Sequence, residues 1–142
     1  MEQMTLHMEN LIEFASGVCG NLYFVIGSEC FPEEDWFDMI GVDLEQWIPN
    51  LVSFFGGHSD ACRLSFMDGP CYAKLTREES GVFCAGYWNG KQTLIKREID
   101  IISLLSSVIH GLDHYHQFTQ IKYYSKEQKI MLQCIDLGDK HV

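Results

Sequence analysis

Two paired strands are predicted at the start of the chain. Apolar and polar residues alternate from position 6 to position 14, which is the period-two pattern of a half-buried strand. Asn10 falls on the apolar face and is expected to mark a bulge or a break. An aromatic and β-branched run at 22–26 follows a turn expected over 16–21. The two runs are therefore predicted to form a hairpin.

A first helix is predicted over residues 44–55, where apolar positions recur at helical spacing. Asp43 followed by Gln46 is typical of a capping box at a helix start. Pro49 lacks a backbone N–H, so the helix is expected either to kink there or to begin just before it. The dipeptide at 56–57, Gly-Gly, is expected to end the helix.

Four more strands are predicted in the middle of the chain. Their pattern is alternating or aromatic, and they cover residues 61–66, 71–75, 82–88 and 92–96. Asn89 and Gly90 form the dipeptide preferred in two-residue type I′ hairpins. Because the connections are short, neighbouring strands are expected to pair antiparallel.

A long helix is predicted from residue 101 to residue 118, where apolar residues step by three and four. Asp100 stands at its start, where an acid favours the helix dipole. Gly111 costs about 1 kcal/mol relative to alanine in a helix interior and is expected to mark a bend. The tail at 125–134 fits a helix or a last strand, and the helix is preferred.

These elements predict one α+β domain over residues 1–142. We expect an antiparallel meander sheet of about six strands, with a long C-terminal helix and a shorter helix packed on one face. The conformations of residues 29–42 and 119–142 are left open by the pattern.

The charge of the chain is strongly uneven. The net charge is −10, from 20 acidic and 10 basic residues. Residues 1–62 hold eleven acids and no lysine or arginine, whereas residues 63–142 hold nine acids and ten bases. Direct contact with nucleic acid or with an anionic membrane needs clustered basic residues, so we expect neither. An acidic half favours a basic protein partner.

Six cysteines occur without any C-x-x-C pair, which disfavours zinc-ribbon and thioredoxin-like sites. No signal-peptide pattern is visible at the start, and no apolar run approaches the ~20 residues that span a bilayer. We therefore expect a cytoplasmic protein whose cysteines are free thiols, mostly packed as small apolar residues.

Catalytic signatures are weak. His110 and His114 have the i, i+4 spacing of zinc ligands, but Gly111 stands where the zincin motif requires glutamate. The acidic segment, residues 33–45, lacks the alternating carboxylates of a calcium loop. Nucleophile-elbow, P-loop and dinucleotide motifs are also missing. We expect no enzyme, no metal and no cofactor. A small hydrolase or metal-binding enzyme that uses His110 and His114 stays open as an alternative.

The acidic segment is the candidate site. It is either a solvated loop or a partner-binding surface, and its aromatic residues either contact the partner or anchor the loop in the core. The residues predicted to bind a partner are Glu33, Glu34, Asp35, Trp36, Asp38, Asp43 and Glu45.

A resemblance supports the second interpretation. The segment Leu-Ser-Phe-Met-Asp-Gly-Pro-Cys-Tyr-Ala-Lys-Leu at 64–75 follows Trp-Phe-Asp at 36–38 and a helix with Trp47. A hairpin and a helix rich in Ile, Leu and Val come after it. Over residues 20–118 this arrangement loosely resembles bacterial immunity proteins of contact-dependent inhibition and polymorphic-toxin systems.

The resemblance implies a cytosolic antitoxin that binds a cognate toxin domain and blocks its active site. Many such toxins are nucleases with basic clefts, which the acidic residues would match, with Trp36 as an apolar anchor. The alternative is a non-enzymatic adaptor or structural subunit that binds a basic protein partner.

Overall fold

The computed structural model describes the backbone of residues 1–140, and side chains in that range outside 93–95 and 137–140. In this part of the chain the elements are β1 (Glu2–Phe14), β2 (Gly17–Ile26), β3 (Glu29–Phe31), β4 (Phe37–Asp38), α1 (Ile40–Phe55), β5 (Ala61–Ser65), β6 (Tyr72–Arg77), β7 (Phe83–Trp88), β8 (Thr93–Asp100), α2 (Ile101–Thr119) and α3 (Ser125–Lys140). The α+β class is as predicted, and the tail forms a helix. None of the described helices is long and apolar enough to cross a membrane.

The sheet is mixed and has more strands than predicted. Seven of its eight strands run in the order β3-β2-β1-β8-β7-β6-β5, and β4 pairs with β2 beside this path. Neighbours pair antiparallel except β1 and β8, which are parallel where Glu2 faces Ile99 and Gln3 faces Asp100. The expected antiparallel meander is therefore only approximate. Hairpin signals report sequence neighbours, whereas the paired Glu2 and Ile99 are 97 positions apart in the chain.

The sheet curls so that its two ends face each other. Phe31 in β3 stacks on Tyr87 in β7, with ring centroids 4.1 Å apart. Along a flat sheet, strands four positions apart would be about 19 Å from one another. The core fills the space between the two ends, where Phe24 packs edge-on against Phe66.

A bulge divides β1, as expected from Asn10. The register with β2 shifts between Glu9 and Ile12, and Asn10 has φ of 55°. Before the bulge, Leu6 is buried, but after it Ile12 and Phe14 are 46% and 50% exposed. The prediction of one continuous apolar face was wrong beyond residue 10, because the extra residue turns the strand over.

Two connections differ from the sequence expectations. Phe14 already pairs with Gly17, so residues 15 and 16 alone form the first turn and 17–21 belong to β2. The hairpin of β7 and β8 has a four-residue loop at 89–92, in which the Asn89 side chain accepts hydrogen bonds from the N–H groups of Lys91 and Gln92. The hairpin is confirmed, whereas the two-residue type I′ turn was wrong.

Helix α1 begins earlier than predicted and runs through Pro49. Met39 is the N-cap and makes no side-chain cap bond. The capping box at Asp43 was wrong, because Asp43 lies in the first turn of the helix and is buried. The expected end at Gly56 is confirmed.

Helix α2 begins as predicted, with the Asp100 side chain accepting from the Ile102 N–H at 3.1 Å. Gly111 lies within this continuous helix, at a position that faces β1. A Cβ at this position would be 3.4 Å from Cε of Met8.

Helix α2 also covers the outer edge of β1, which is the edge that faces away from β2. This edge pairs with β8 only at Glu2 and Gln3. The Ser103 hydroxyl accepts from the Met4 N–H at 3.1 Å and donates to the Asp100 carbonyl at 2.7 Å. The Ser107 hydroxyl accepts from the Leu6 N–H at 2.7 Å. The spacing fits, since four residues of helix rise about 6 Å and two residues of strand about 6.6 Å.

Helix α1 covers the outer edge of β5 in the same manner. Trp47 Nε1 donates to the Ser65 carbonyl at 2.7 Å, and Asn50 Nδ2 donates to the Arg63 carbonyl at 3.4 Å. Two edges of the curled sheet therefore find hydrogen-bond partners on helices.

Candidate functional site

The acidic loop, residues 33–35, lies exposed between β3 and β4, and its C-terminal end is hydrogen-bonded to β2. The Leu22 N–H donates to the Trp36 carbonyl at 2.7 Å. The Asn21 side chain donates to the Asp35 carbonyl at 2.7 Å. The Trp36 N–H donates to the Glu33 carbonyl at 3.2 Å, which closes the loop as a tight turn. The three carboxylates are thus carried on a loop that is bonded to β2.

Trp36 anchors this loop to the core. The residue is half-buried, and its ring lies edge-on to that of Phe66, with the two ring centroids 6.5 Å apart. Its Nε1 donates to Asp38 Oδ2 at 2.8 Å. The more accessible aromatic residue is its neighbour Phe37, which is 47% exposed.

Asp38 and Asp43 are not on the surface, which corrects their prediction as partner-binding residues. Each is 1% exposed. Besides Trp36, Asp38 accepts from its neighbouring Met39 N–H at 2.7 Å and from the Asp68 N–H at 3.3 Å. Asp43 accepts from the Met67 N–H at 2.8 Å. Both carboxyl groups therefore fasten the 67–68 turn to the start of α1 and face no solvent.

The two buried carboxyl groups also interact with each other. Burial, together with the hydrogen bond and negative charge of Asp38, raises the pKa of Asp43 to about 9. Asp43 is thus protonated at neutral pH and can share its proton with Asp38. Without that proton, Asp43 Oδ2 has no hydrogen-bond partner among the described residues.

Glu45 is exposed but belongs to a different region. It lines a cavity of about 300 Å³ with Glu13, Tyr115, Tyr123 and Tyr124. None of the acidic-loop residues lines that cavity. The seven predicted residues are therefore divided between the loop and its anchor, the interior, and this second cavity.

Other exposed residues near the loop were missed or left aside. Burial raises the pKa of Tyr23, and the charges of Glu9, Asp35 and Glu34 raise it further, so each of these carboxylates lies near the Tyr23 hydroxyl. The sequence signal for Glu9 was its polar position in β1.

On the other side of Asp38, two exposed apolar side chains meet. Phe37 and Met67, which is 54% exposed, line a small cavity of about 210 Å³ with Asp38, Met39 and Asp68. The signal for Met67 was an apolar residue directly before a turn. We define the acidic surface as the exposed Glu9, the acidic loop, Phe37, Met67 and Asp68.

The acidic loop carries its charge uncompensated. Ion pairs among the described residues join Arg77 to Asp60, Lys96 to Glu78, and Arg97 to both Glu2 and Glu29. Glu9 of the acidic surface lies 3.5 Å from the His7 ring. None of the ion pairs in the described part of the chain includes residues 33–35. The negative potential at the loop is therefore available to an external cation.

The histidines of α2 border a large groove. His110 and His114 are exposed and line a groove of about 1110 Å³ between α2, α3 and β1. Asp113, between them, accepts from the Gln128 side chain at 2.7 Å. Within the described residues, no group of three His, Cys, Asp or Glu side chains is arranged to hold a metal ion.

The cysteines offer no clustered chemistry in the described structure. All six are free, and Cys19, Cys62, Cys71 and Cys84 are buried. Burial raises the pKa of Cys62 to about 12, so this thiol stays protonated and unreactive at neutral pH.

The acidic surface thus combines exposed carboxylates with two exposed apolar side chains. Comparisons of this chain with protein-family models, with curated proteins and with solved structures found no match.

Proposed function

We propose that the chain is an immunity protein that binds a basic toxin domain, expected to be a nuclease, through the acidic surface. The observation that carries the proposal is the acidic loop, whose three exposed carboxylates have no ion-pair partner among the described residues. Two hydrogen bonds of 2.7 Å join the carbonyls of Asp35 and Trp36 to β2, so a partner would meet a loop whose backbone is already positioned.

The apolar part of the surface supports the same function. Phe37 and Met67 line one small cavity together with the exposed Asp68. Interfaces commonly combine a desolvated apolar centre with a charged rim. Here the apolar pair would supply contact area, and the carboxylates would speed association with a basic cleft.

A growth-rescue assay tests the proposal. A basic toxic domain encoded next to this gene is expressed in cells with and without the protein. The test variant combines Glu33→Lys, Glu34→Lys and Asp35→Asn. Asparagine is used at position 35 because Asp35 has a φ of 59°, a left-handed conformation that asparagine adopts more readily than lysine does. We expect wild-type protein to restore growth and the variant to lose rescue.

A control variant separates the local surface from net charge. Glu79→Lys, Glu98→Lys and Asp136→Asn change the net charge by the same amount at exposed positions outside the loop. Rescue should survive in this variant. Equal loss in both variants would refute a localised acidic surface. Binding of the domain without rescue would favour the adaptor alternative, and neither binding nor rescue would reject the proposed function.

Purified proteins supply an independent readout. Association of the wild-type protein with the toxin domain should slow at least tenfold between 50 and 500 mM salt, since the Debye length shrinks to a few ångström. The loop variant should show a much weaker salt dependence. An association rate that is unchanged by salt would contradict electrostatic recognition.

A further inference from the structure

A second cavity on the protein combines aromatic rings and carboxylates. It lies where the β1–β2 turn, the start of α1 and the α2–α3 connection meet, and it has a volume of about 300 Å³. We call it the tyrosine cavity, after Tyr115, Tyr123 and Tyr124, which line it together with Glu13 and Glu45.

The three tyrosine rings form one cluster. Their centroids are 6.1 to 6.3 Å apart, and their planes are tilted by 37° to 47° to one another. A group about 3 Å off the plane through the centroids would lie within about 5 Å of all three, inside the ~6 Å range of cation–π contact. Tyr124 is fixed because its N–H donates to Nε2 of the buried His116 at 3.1 Å.

Tyr115 contributes an unused polar atom. The side chain is 6% exposed and reaches the start of α1, with its hydroxyl 3.4 Å from the place of a Cβ on Gly41. The hydrogen bond at Tyr115 goes to its carbonyl, from Thr119 Oγ1 at 3.0 Å. The hydroxyl has no hydrogen-bond partner among the described residues, and Tyr115 is one of the residues that line the cavity. It can accept one hydrogen bond from a ligand N–H.

The charge of the cavity favours a cation over an anion. Glu13 and Glu45 both line it, and among the residues whose side chains the structure describes, no lysine or arginine does so. The first turn of α1 also borders the cavity at Gly41 and Val42, and a helix N-terminus carries about half a positive charge. Two carboxylates outweigh that half charge. The Asp38 carboxyl, which accepts from the Met39 N–H, offsets it further.

We propose that the tyrosine cavity binds the guanidinium or ammonium group of an arginine or lysine side chain from a protein partner. The rings would face the cation, the two glutamates would balance its charge, and the Tyr115 hydroxyl would accept a hydrogen bond from it. The assignment to a protein side chain rests on the proposed function, which supplies a basic protein partner. The site would add a second point of contact, separate from the acidic loop.

A ligand titration tests the site without any toxin. Protein carrying ¹³C-labelled tyrosine rings is titrated with N-acetyl-arginine methylamide and followed by NMR. The neutral N-acetyl-citrulline methylamide has nearly the same shape and is the ligand control. We expect saturable shifts of Tyr115, Tyr123 and Tyr124 in the millimolar range with the arginine compound. The ring signals of Tyr23 and Tyr87 should stay in place.

Variants assign the effect to the cavity. Tyr123 is 55% exposed, so Tyr123→Leu should fold, and it should weaken binding about two- to fivefold, whereas Tyr123→Phe should keep wild-type affinity. Glu45→Gln should weaken binding as well, and Glu34→Gln should not. Equal shifts with the arginine and citrulline compounds would overturn the proposal, as would unchanged affinity in Tyr123→Leu.

The titration and the growth assay can fail separately. Failure of the titration removes the tyrosine cavity as a cation site and leaves the acidic-loop proposal untouched. Failure of rescue, together with a positive titration, would leave a cation-binding cavity on a protein that does not neutralise that toxin.

Discussion

Replacing Ser107 with alanine is expected to destabilise the protein, although alanine is the better helix former. The Ser107 hydroxyl is the partner of the Leu6 N–H, at 2.7 Å, and it donates in turn to the Leu104 carbonyl at 2.8 Å. Leu6 is 7% exposed, so water cannot easily replace the lost hydroxyl. Ser107→Ala would leave a strand amide without a partner beneath α2.

The expected loss follows from two opposing effects. An unsatisfied buried donor costs about 1 to 3 kcal/mol. Alanine in place of serine gains up to about 0.5 kcal/mol in helix propensity. The net change in the free energy of unfolding should therefore be a loss of about 1 to 2 kcal/mol. Ser103→Ala removes the equivalent bond to Met4 and should cost a similar amount.

Urea denaturation followed by tryptophan fluorescence measures this change. Ser106→Ala is the matched control, because this serine is exposed on the same helix and the chemical change is identical. The control should be neutral or slightly stabilised. In Ser107→Ala, native-state hydrogen exchange of the Leu6 amide should also be faster than in Ser106→Ala.

Equal free energies of unfolding for Ser107→Ala and Ser106→Ala would refute the reasoning. That result would mean that the edge of β1 needs no partner on α2. A loss of stability with unchanged exchange at Leu6 would place the cost elsewhere in the helix, and it would equally contradict the edge-bond account.

Two further predictions concern the interior. The pKa of Asp43 is raised to about 9 in the folded protein, so the stability that its proton contributes is complete below pH 4 and is lost as pH rises through 9. The free energy of unfolding of Asp43→Asn should therefore increase relative to that of the wild type between pH 5 and 9. A difference between the two proteins that stays constant over this pH range would contradict the raised pKa. Gly20→Ala should cost about 1 to 3 kcal/mol of stability, because the new Cβ would lie 2.9 Å from the Glu9 carbonyl oxygen. Gly111→Ala should be neutral or gain up to about 1 kcal/mol, because the nearest atom to its new Cβ is the flexible Met8 methyl at 3.4 Å. Similar melting temperatures for the two alanine variants would show that the bulge in β1 can relax.

The parts of the fold that depend on nearby residues were predictable from the sequence. The cap at Asp100 and the bulge at Asn10 follow from the residue itself and its immediate neighbours. The parallel pairing of Gln3 with Asp100 has no local signal, because hairpin and turn chemistry act over a few residues. The start of α1 was missed because Asp43 was taken to cap the helix, while its actual partner is the Met67 N–H, 24 positions away.

The candidate site shows the same division. The negative charge of the acidic segment is visible in its composition, and Glu33, Glu34 and Asp35 are exposed. Composition cannot separate these carboxylates from Asp38 and Asp43, which the 67–68 turn draws into the interior. The tyrosine cavity was also beyond the sequence, since it combines the β1–β2 turn, the start of α1 and the α2–α3 connection, which are far apart in the chain.

The serine bonds along β1 have a consequence for biosynthesis. Residues 4 and 103, and residues 6 and 107, are joined although 99 and 101 positions separate them in the chain. The β1–β2 hairpin ends at Ile26, so about 80 more residues must be synthesised before Ser107 exists. At a synthesis rate of ~5–20 residues per second, about 4 to 16 s pass before α2 can cover the outer edge of β1. During that interval, the nascent chain presents an unprotected strand edge to its neighbours on the polysome.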